Sequence, residues 1–157
     1  MHEIDAIDRQ LISLLQRDGR MPYSQLAEEA GISRAAATAR VRSLIKHGVL
    51  AIVAATDLMF LGYLVRTILC KIEGCSRRNV ARHLAALPEV TYCIIGAGTA
   101  DLQLEIACRD REHLTEILER IAAVDGVRIA ETFEFLEMVK QSYGWEVPPP
   151  EAKGLGA

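Results

Sequence analysis

One short segment, residues 33–47, concentrates positive charge and small side chains: it holds four Lys or Arg and no acidic residue. Ser33 is a preferred helix N-cap, and Gly48 suits the left-handed position that ends a helix, so we predict a helix from about Arg34 to His47. Small residues let a helix approach a DNA groove, hydroxyl and guanidinium groups can contact base edges, and cations can neutralise phosphates. The side chains that we predict to contact double-stranded DNA are Ser33, Arg34, Ala35, Thr38, Arg42 and Lys46.

The opposite face of this segment is apolar and is formed by Ala37, Val41, Leu44 and Ile45. Such an amphipathic helix can also be a solvated surface helix, and the segment alone leaves both interpretations open. The preceding residues favour DNA binding, because a short helix from Tyr23 ends at Gly31 and a three-residue turn leads to Ser33. This is the spacing of a helix-turn-helix motif.

A further helix precedes the motif and is expected to pack against it. Asp5 can cap this helix, with Asp8 in its first turn, and Asp18-Gly19-Arg20 ends it. We expect Arg40, at the edge of the apolar stripe, to bind a carboxylate of this helix instead of DNA. After Gly48, the β-rich run at 49–56 predicts a short strand or wing. The apolar positions of the first helix are Ile7, Leu11, Leu14 and Leu15.

From Leu64 onward the apolar period changes from helical to alternating, which predicts a second domain. The order βαββαβ is typical of the ferredoxin-like arrangement, a four-stranded antiparallel sheet with two helices on one face. The whole chain is therefore predicted to be α+β, with an N-terminal winged helix-turn-helix domain. The predicted elements are strands at 64–73, 90–96, 102–108 and 127–139, and helices at 76–87 and after Asp110.

The first of these strands is apolar on both faces, with Val65 and Leu69 on one side and Ile68 and Cys70 on the other. Neither face of the sheet is polar enough to remain in water, so we infer a homodimer formed through the sheet. The predicted divisions of the chain are a helix-turn-helix domain at 1–56, a linker at 57–63, the ferredoxin-like domain at 64–145 and a mobile tail at 146–157.

Composition limits the remaining functional classes. The net charge is −3, but residues 1–48 carry seven Lys or Arg against six acids, so the cations are concentrated in the first part. The four cysteines, at 70, 75, 93 and 108, form no C-x-x-C pair, which favours free thiols in a reducing cytoplasm and no metal site. We find no signal sequence and no 18-residue apolar run, so we expect a soluble protein without membrane contact.

The order of these parts resembles the Lrp/AsnC family of transcription regulators of bacteria and archaea. The resemblance covers roughly Ile4 to Lys140, and it depends on the order and spacing of short motifs, none of which is specific alone. These motifs are Ile7-Asp8-Arg9-Gln10-Leu11-Ile12, Asp18-Gly19-Arg20, Leu26-Ala27, Gly31-Ile32-Ser33, Arg40-Val41, Gly48-Val49-Leu50, Gly62-Tyr63, Gly98-x-x-Asp101, Gly126-Val127 and Val139-Lys140.

The resemblance implies that the second domain dimerises, that dimers assemble further into octamers, and that a small-molecule effector, usually an amino acid, binds near the Gly-x-x-Asp loop. In this chain the loop is Gly98, Thr99, Ala100 and Asp101. Its amides and hydroxyl suit a carboxylate, and the Asp101 anion suits an ammonium group. A tight turn, with Gly98 at positive φ and Asp101 capping the loop's own amides, is the alternative. The resemblance also places an aromatic residue beside that aspartate, where this chain has Ala100 and Leu102, so the effector's identity stays open.

Three functions remain to be compared. The first is a DNA-binding transcriptional regulator modulated by a small molecule, without a cofactor. The second is an enzyme of the same outline that decarboxylates sirohaem, which the resemblance associates with a histidine-bearing strand; residues 90–95 contain no His or Arg, so we predict no enzyme. The third is an effector-free interaction module, which predicts weak and sequence-independent DNA binding.

Overall fold

The computed structural model describes residues 3–141. The predicted tail at 146–157 lies outside these residues. The chain divides into two compact units, the first extending to Ala55 and the second running from Thr56 to Val139. Residues 57–63, where we predicted a linker, form hydrogen-bonded turns at the beginning of the second unit.

The first unit contains three helices, α1 (Ala6–Arg17), α2 (Tyr23–Glu29) and α3 (Arg34–Lys46). The predicted cap of α1 is confirmed as a reciprocal capping box: the Asp8 amide donates to Asp5 Oδ1 at 2.8 Å, and the Asp5 amide donates to Asp8 Oδ2 at 3.2 Å. These two bonds satisfy amides that would otherwise lack partners at the start of the helix.

Helix α3 ends where the sequence predicts. Gly48 has a φ of +69°, and the amides of Gly48 and Val49 donate to the carbonyls of Ile45 and Leu44 at 3.0 and 2.9 Å. This is the Schellman arrangement, which requires a left-handed residue and therefore favours glycine at position 48.

The first core confirms the predicted apolar stripes with one exception. Ile45 is 43% exposed, because at 100° per residue it lies at the edge of the stripe centred on Ala37 and Val41. Its neighbour Leu44 lies inside the stripe and is fully buried. The cluster itself consists of Leu11, Leu14, Leu15, Leu26, Ala27, Ala37 and Val41.

The predicted strand or wing after Gly48 is wrong for the described chain. Residues 50–57 form neither helix nor strand, and Val53 is 74% exposed. A strand requires a partner for its backbone groups, and the described part of the first unit contains no second strand to pair with. β-branched residues alone do not supply one.

The second unit confirms the predicted βαββαβ order and the ferredoxin-like sheet. The elements are β1 (Leu64–Ile72), α4 (Arg77–Leu84), β2 (Val90–Ile95), β3 (Leu102–Cys108), α5 (Arg111–Ala122) and β4 (Val127–Glu134). The strands pair antiparallel in the order β2-β3-β1-β4, so β1 and β3 are central.

One face of this sheet carries the second core. Alternate residues of β3 are buried against side chains of both helices, as the alternation of Leu102, Leu104 and Ile106 predicted. The helices contribute the buried residues Val80, Ala81, Leu84, Leu114, Ile117 and Ile121.

Two predicted ends in this unit were too long by three residues or more. Strand β4 ends at Glu134 instead of residue 139, because Glu134 is already opposite Arg66, near the beginning of β1, and little partner strand remains beyond it. Helix α4 ends at Leu84, and tighter bonds from Ala86 to His83 and from Leu87 to Leu84 lead to the turn before Pro88.

Candidate functional sites

The outer face of α3 presents the side chains that we predicted to contact DNA. Arg34, Ala35 and Arg42 are exposed and line an open concavity together with Thr38 and Ala39. The Thr38 hydroxyl donates to the Arg34 carbonyl at 2.8 Å, which leaves its oxygen free to accept a hydrogen bond from a base. The face therefore combines a shallow, small-residue surface with polar groups at its edges.

The cations of this face are not neutralised by any acidic side chain of the described residues. Arg34, Arg42 and Lys46 form no ion pair among residues 3–141. Ser33 instead has a structural role, since its hydroxyl accepts the Ala36 amide at 3.2 Å and caps α3. The free positive charge is thus displayed along one helix face, where it can contact phosphates.

Arg40 differs from its neighbours on α3, as the sequence predicted. Its Nη1 lies 2.6 Å from Asp5 Oδ2 and 2.9 Å from Asp8 Oδ1, at the beginning of α1. The bond from the Asp8 amide and the bond from Arg40 together lower the pKa of Asp5. Arg40 therefore connects α3 to α1 and supports the helix that carries the candidate DNA contacts.

The second candidate site is the loop of Gly98, Thr99, Ala100 and Asp101. Gly98 has a φ of +133°, a conformation that favours glycine. Asp101 is 7% exposed; its Oδ2 accepts the Ile72 amide at 2.9 Å, and its Oδ1 lies 2.8 Å from Arg77 Nη2. The Ile72 amide lowers the pKa of Asp101, with further lowering from the charges of Arg77 and Lys71.

Other bonds hold this loop against β1. The Asp101 amide donates to the Cys70 carbonyl at 2.9 Å, and Lys71 Nζ donates to the Gly98 carbonyl at 3.2 Å. Thr99 is exposed, and its hydroxyl forms no side-chain hydrogen bond among the described residues. The loop is thus held at both ends, and the Thr99 hydroxyl is available between them.

Sequence reasoning missed Lys71 and Arg77 at this site. A signal for Arg77 was present, because a cation in the first turn of a helix opposes the helix dipole and needs a compensating acid. Which acid supplies it could not be read from spacing, since Asp101 is far along the chain and reaches Arg77 only through the pairing of β1 with β3.

A third polar cluster lies at the opposite end of β3. Glu89 Oε1 accepts from Arg120 Nη1 at 2.8 Å and is 3.4 Å from His113 Nε2. These contacts join the turn before β2 to α5. Across the described ranges, no group of three or more His, Cys, Asp and Glu side chains is arranged to hold a metal ion, and no helix is long and apolar enough to cross a membrane.

Comparison with known proteins covers both candidate sites. Residues 4–45, which include α3 up to Ile45, match the model of the AsnC-type helix-turn-helix domain. Residues 67–145, which include the 98–101 loop, match the model of the Lrp/AsnC ligand binding domain. The chain belongs to the Lrp/AsnC family. It is a transcriptional regulator with a DNA-binding helix-turn-helix domain and a ligand-binding domain.

Individual relatives agree with this assignment. An uncharacterised HTH-type transcriptional regulator of Pyrococcus abyssi is 37% identical over 90% of this chain and 91% of its own length. The leucine response regulatory protein of Mycobacterium tuberculosis is 26% identical in sequence. Its crystal structure matches with a TM-score of 0.83 over 91% of this chain and 99% of that one.

A third neighbour supports the fold alone. A transcriptional regulator of Neisseria meningitidis, solved in complex with L-Met, is 22% identical with a TM-score of 0.73, over 93% of this chain and 97% of that one. The names of the family and of the relatives designate transcriptional regulators, so this Lrp/AsnC protein is not assigned to the sirohaem-decarboxylating enzymes.

Proposed function

We propose that this protein is a dimeric regulator that reads specific DNA sites with α3 and responds to a free amino acid bound at the 98–101 loop. The observation that carries the proposal is the outer face of α3, where Arg34, Arg42 and Lys46 have no ion pair in the described chain. Unpaired cations beside small residues are what a helix in a major groove requires.

Within α3 the residues have different roles. Arg42 and Thr38 contact base edges, and Arg34 lies beside them at the N-terminal end of the helix, where recognition helices contact bases. Ala35 allows close approach to the groove, Ser33 begins the helix at the DNA, and Lys46, near the C-terminal end, binds a phosphate. Specificity and general affinity are thereby divided between different side chains.

The effector site that we propose consists of Gly98, Thr99, Ala100 and Asp101. The loop lies inside the segment that matches the ligand-binding domain. It presents exposed backbone and the Thr99 hydroxyl, together with the largely buried Asp101 carboxylate that already binds Arg77, and a Neisseria meningitidis neighbour of the same fold was solved with L-Met. An amino acid is therefore the effector class that we propose, and its side chain is not specified by the loop.

The open face of the sheet supports the proposed dimer. Tyr92 is 58% exposed and Phe133 is 62% exposed, on strands where they lie opposite Glu105 and Thr67. A second copy that covers these aromatic side chains removes apolar surface from water. Octamers are a further assembly of such dimers, and the protein would act in the cytoplasm, where its DNA and effector meet.

A gel-shift experiment with the DNA upstream of the protein's own gene tests the central proposal. We expect a complex that survives competition by random DNA, with a footprint of two half-sites about one helical turn, or a multiple of it, apart. Equal affinity for upstream and random DNA would instead indicate a sequence-independent interaction module.

The dimer is tested by introducing charge on the open face. Leu69→Lys places a cation in the centre of that face, and we expect the protein to become monomeric or to aggregate. Thr115→Lys, on the exposed side of α5, is the matched control and should leave the molar mass of the assembly in solution unchanged. Light scattering that shows a monomeric wild type at micromolar concentration contradicts the proposed dimer.

A further inference from the structure

The ion pair between Arg77 and Asp101 joins two side chains of very different freedom. The Asp101 side chain is 10% exposed and is held by the Ile72 amide through the oxygen that does not contact Arg77. The Arg77 side chain is 53% exposed, and Asp101 is its only ion-pair partner in the described chain. One partner is therefore fixed in the fold, while the other can move into solvent.

The charges around the 98–101 loop do not balance. Asp101 contributes one negative charge, whereas Arg77 and Lys71 both approach the loop with positive charges. Lys71, which donates to the Gly98 carbonyl, forms no ion pair among the described residues and is the uncompensated cation of the loop. A site with a fixed anion and an excess of cation matches a ligand that carries an ammonium group next to a carboxylate.

We propose that a free amino acid binds here by exchange, replacing the Arg77–Asp101 ion pair with two ion pairs of its own. The ammonium group takes the place of Arg77 at Asp101 Oδ1, while Oδ2 keeps the Ile72 amide. The carboxylate then pairs with Arg77, which moves outward, and with Lys71. This inference rests on the proposed effector site and adds Arg77 and Lys71 to it as the residues that determine specificity.

The exchange explains how both ends of the ligand are selected. A ligand without a carboxylate would separate Arg77 from Asp101 without giving Arg77 a new partner. A ligand without an ammonium group would leave Asp101 unpaired or would have to bind without displacing Arg77. Binding is unfavourable when it separates two charged groups and leaves one of them without a new partner. Only the free amino acid gives both Asp101 and Arg77 a new partner.

Calorimetry with matched variants and matched ligands tests this exchange. Each common amino acid is titrated into the wild-type protein, and the tightest ligand is carried forward with its α-amide and its deaminated acid. We expect the wild type to bind the amino acid about tenfold or more tightly than its α-amide, and Arg77→Gln to abolish this preference, because the ammonium group then displaces no cation and the carboxylate has lost Arg77. Arg78→Gln, the adjacent exposed arginine, which forms no ion pair in the described residues, should leave the affinity unchanged.

The α-amide separates a direct contact from a general loss of structure. Because the amide has no carboxylate for Arg77 to bind and in the variant no longer displaces Arg77 from Asp101, Arg77→Gln should strengthen its binding, whereas Asp101→Asn should weaken it. The deaminated acid should show the reverse pattern. If Arg77→Gln weakens the amino acid and the amide equally, the proposed contact is wrong.

The remaining outcomes separate this inference from the proposed function. If an amino acid binds and Arg77→Gln keeps the wild-type preference for it over its α-amide, the exchange is wrong while the effector loop stands. If no amino acid binds the wild type at millimolar concentration, both the exchange and the amino-acid effector are wrong, and DNA binding by α3 is unaffected. Thermal melting of Arg77→Gln checks that this exposed substitution leaves the fold intact.

Discussion

The two candidate sites treat their charged groups in opposite ways. On α3 the outward cations Arg34, Arg42 and Lys46 have no ion-pair partner among residues 3–141. At the 98–101 loop, Asp101 binds both Arg77 and the Ile72 amide, and Lys71 binds the Gly98 carbonyl. The first site therefore presents unpaired cations to solvent, whereas most charged groups of the second site already have a partner within the protein.

This difference in charge pairing predicts how each site should respond to its ligand. A face of unpaired cations binds a polyanion without breaking internal bonds, and its affinity depends on the counterions released from DNA. A loop whose charges are paired must exchange partners to bind, so its ligand is selected by chemistry at both ends. Binding there changes contacts within the protein, which is a requirement for regulation.

Removing the proposed base contacts of α3 should have the largest effect. We expect Arg42→Ala and Thr38→Ala each to weaken binding to the specific DNA site by about 1–3 kcal/mol, with a smaller loss on random DNA, because only the specific site presents the matching base edges. Gel shifts with both DNAs measure the difference. Equal losses on the two DNAs would show that α3 contributes charge only.

Lys46 sharpens the same comparison, since we expect it to bind a phosphate. Lys46→Ala should weaken specific and random DNA equally and reduce the slope of log affinity against log salt by about one. Titrations at several salt concentrations measure the slope. An unchanged slope would place Lys46 outside the interface.

Arg40 is the paired cation of α3 and should behave differently from both. Arg40→Ala leaves Asp5 and the buried Asp8 without their shared cation, so we expect a lower melting temperature for the first unit. DNA binding should fall through loss of the folded helix, with no change in the salt slope. If operator binding is abolished with an unchanged melting temperature, Arg40 contacts DNA.

Acid should weaken both units through different carboxylates. The pKa values of Asp5 and Asp101 are lowered in the folded protein, so each contributes stability above its unfolded pKa of about 3.9, and this stability is lost as the pH falls through the folded value. Asp101→Asn should make the second unit less sensitive to acid, and Asp5→Asn, which still caps a helix, should do so for the first. Hydrogen exchange between pH 3 and 6 would follow each unit, with the range chosen to bracket about 3.9.

The smallest expected effect is on thiol labelling, which reports on the second unit alone because residues 1–55 contain no cysteine. Burial raises the pKa of Cys70 to about 11, while Cys75 is exposed. A thiol reagent at mildly alkaline pH should therefore label Cys75 rapidly and Cys70 only after the second unit unfolds. Rapid labelling of Cys70 in the native protein would contradict its burial in the core.

Local patterns predicted most of the elements because their causes are local. The Asp5 and Ser33 caps, the Gly48 end of α3 and the alternation along β3 depend on residues a few positions apart. The errors occurred where the deciding partner was remote or absent: the wing lacked a strand to pair with, and β4 ended where β1 began. The predicted apolar stripe of α3 also wrongly included Ile45, which lies at its edge, because a residue at the edge is buried only where a neighbouring helix covers it.

The sequence by itself determined the helix-turn-helix motif, the βαββαβ order, the charged face of α3 and the link from Arg40 to α1. Those features follow from spacing along one helix or strand, or from a cation placed at the edge of a stripe. Only the tertiary structure decided what surrounds Asp101. Antiparallel pairing of β1 with β3 brings Ile72 and Arg77 to the Asp101 carboxylate, more than twenty residues away along the chain. No local sequence pattern predicts such a contact, because the pairing of two whole strands positions the carboxylate.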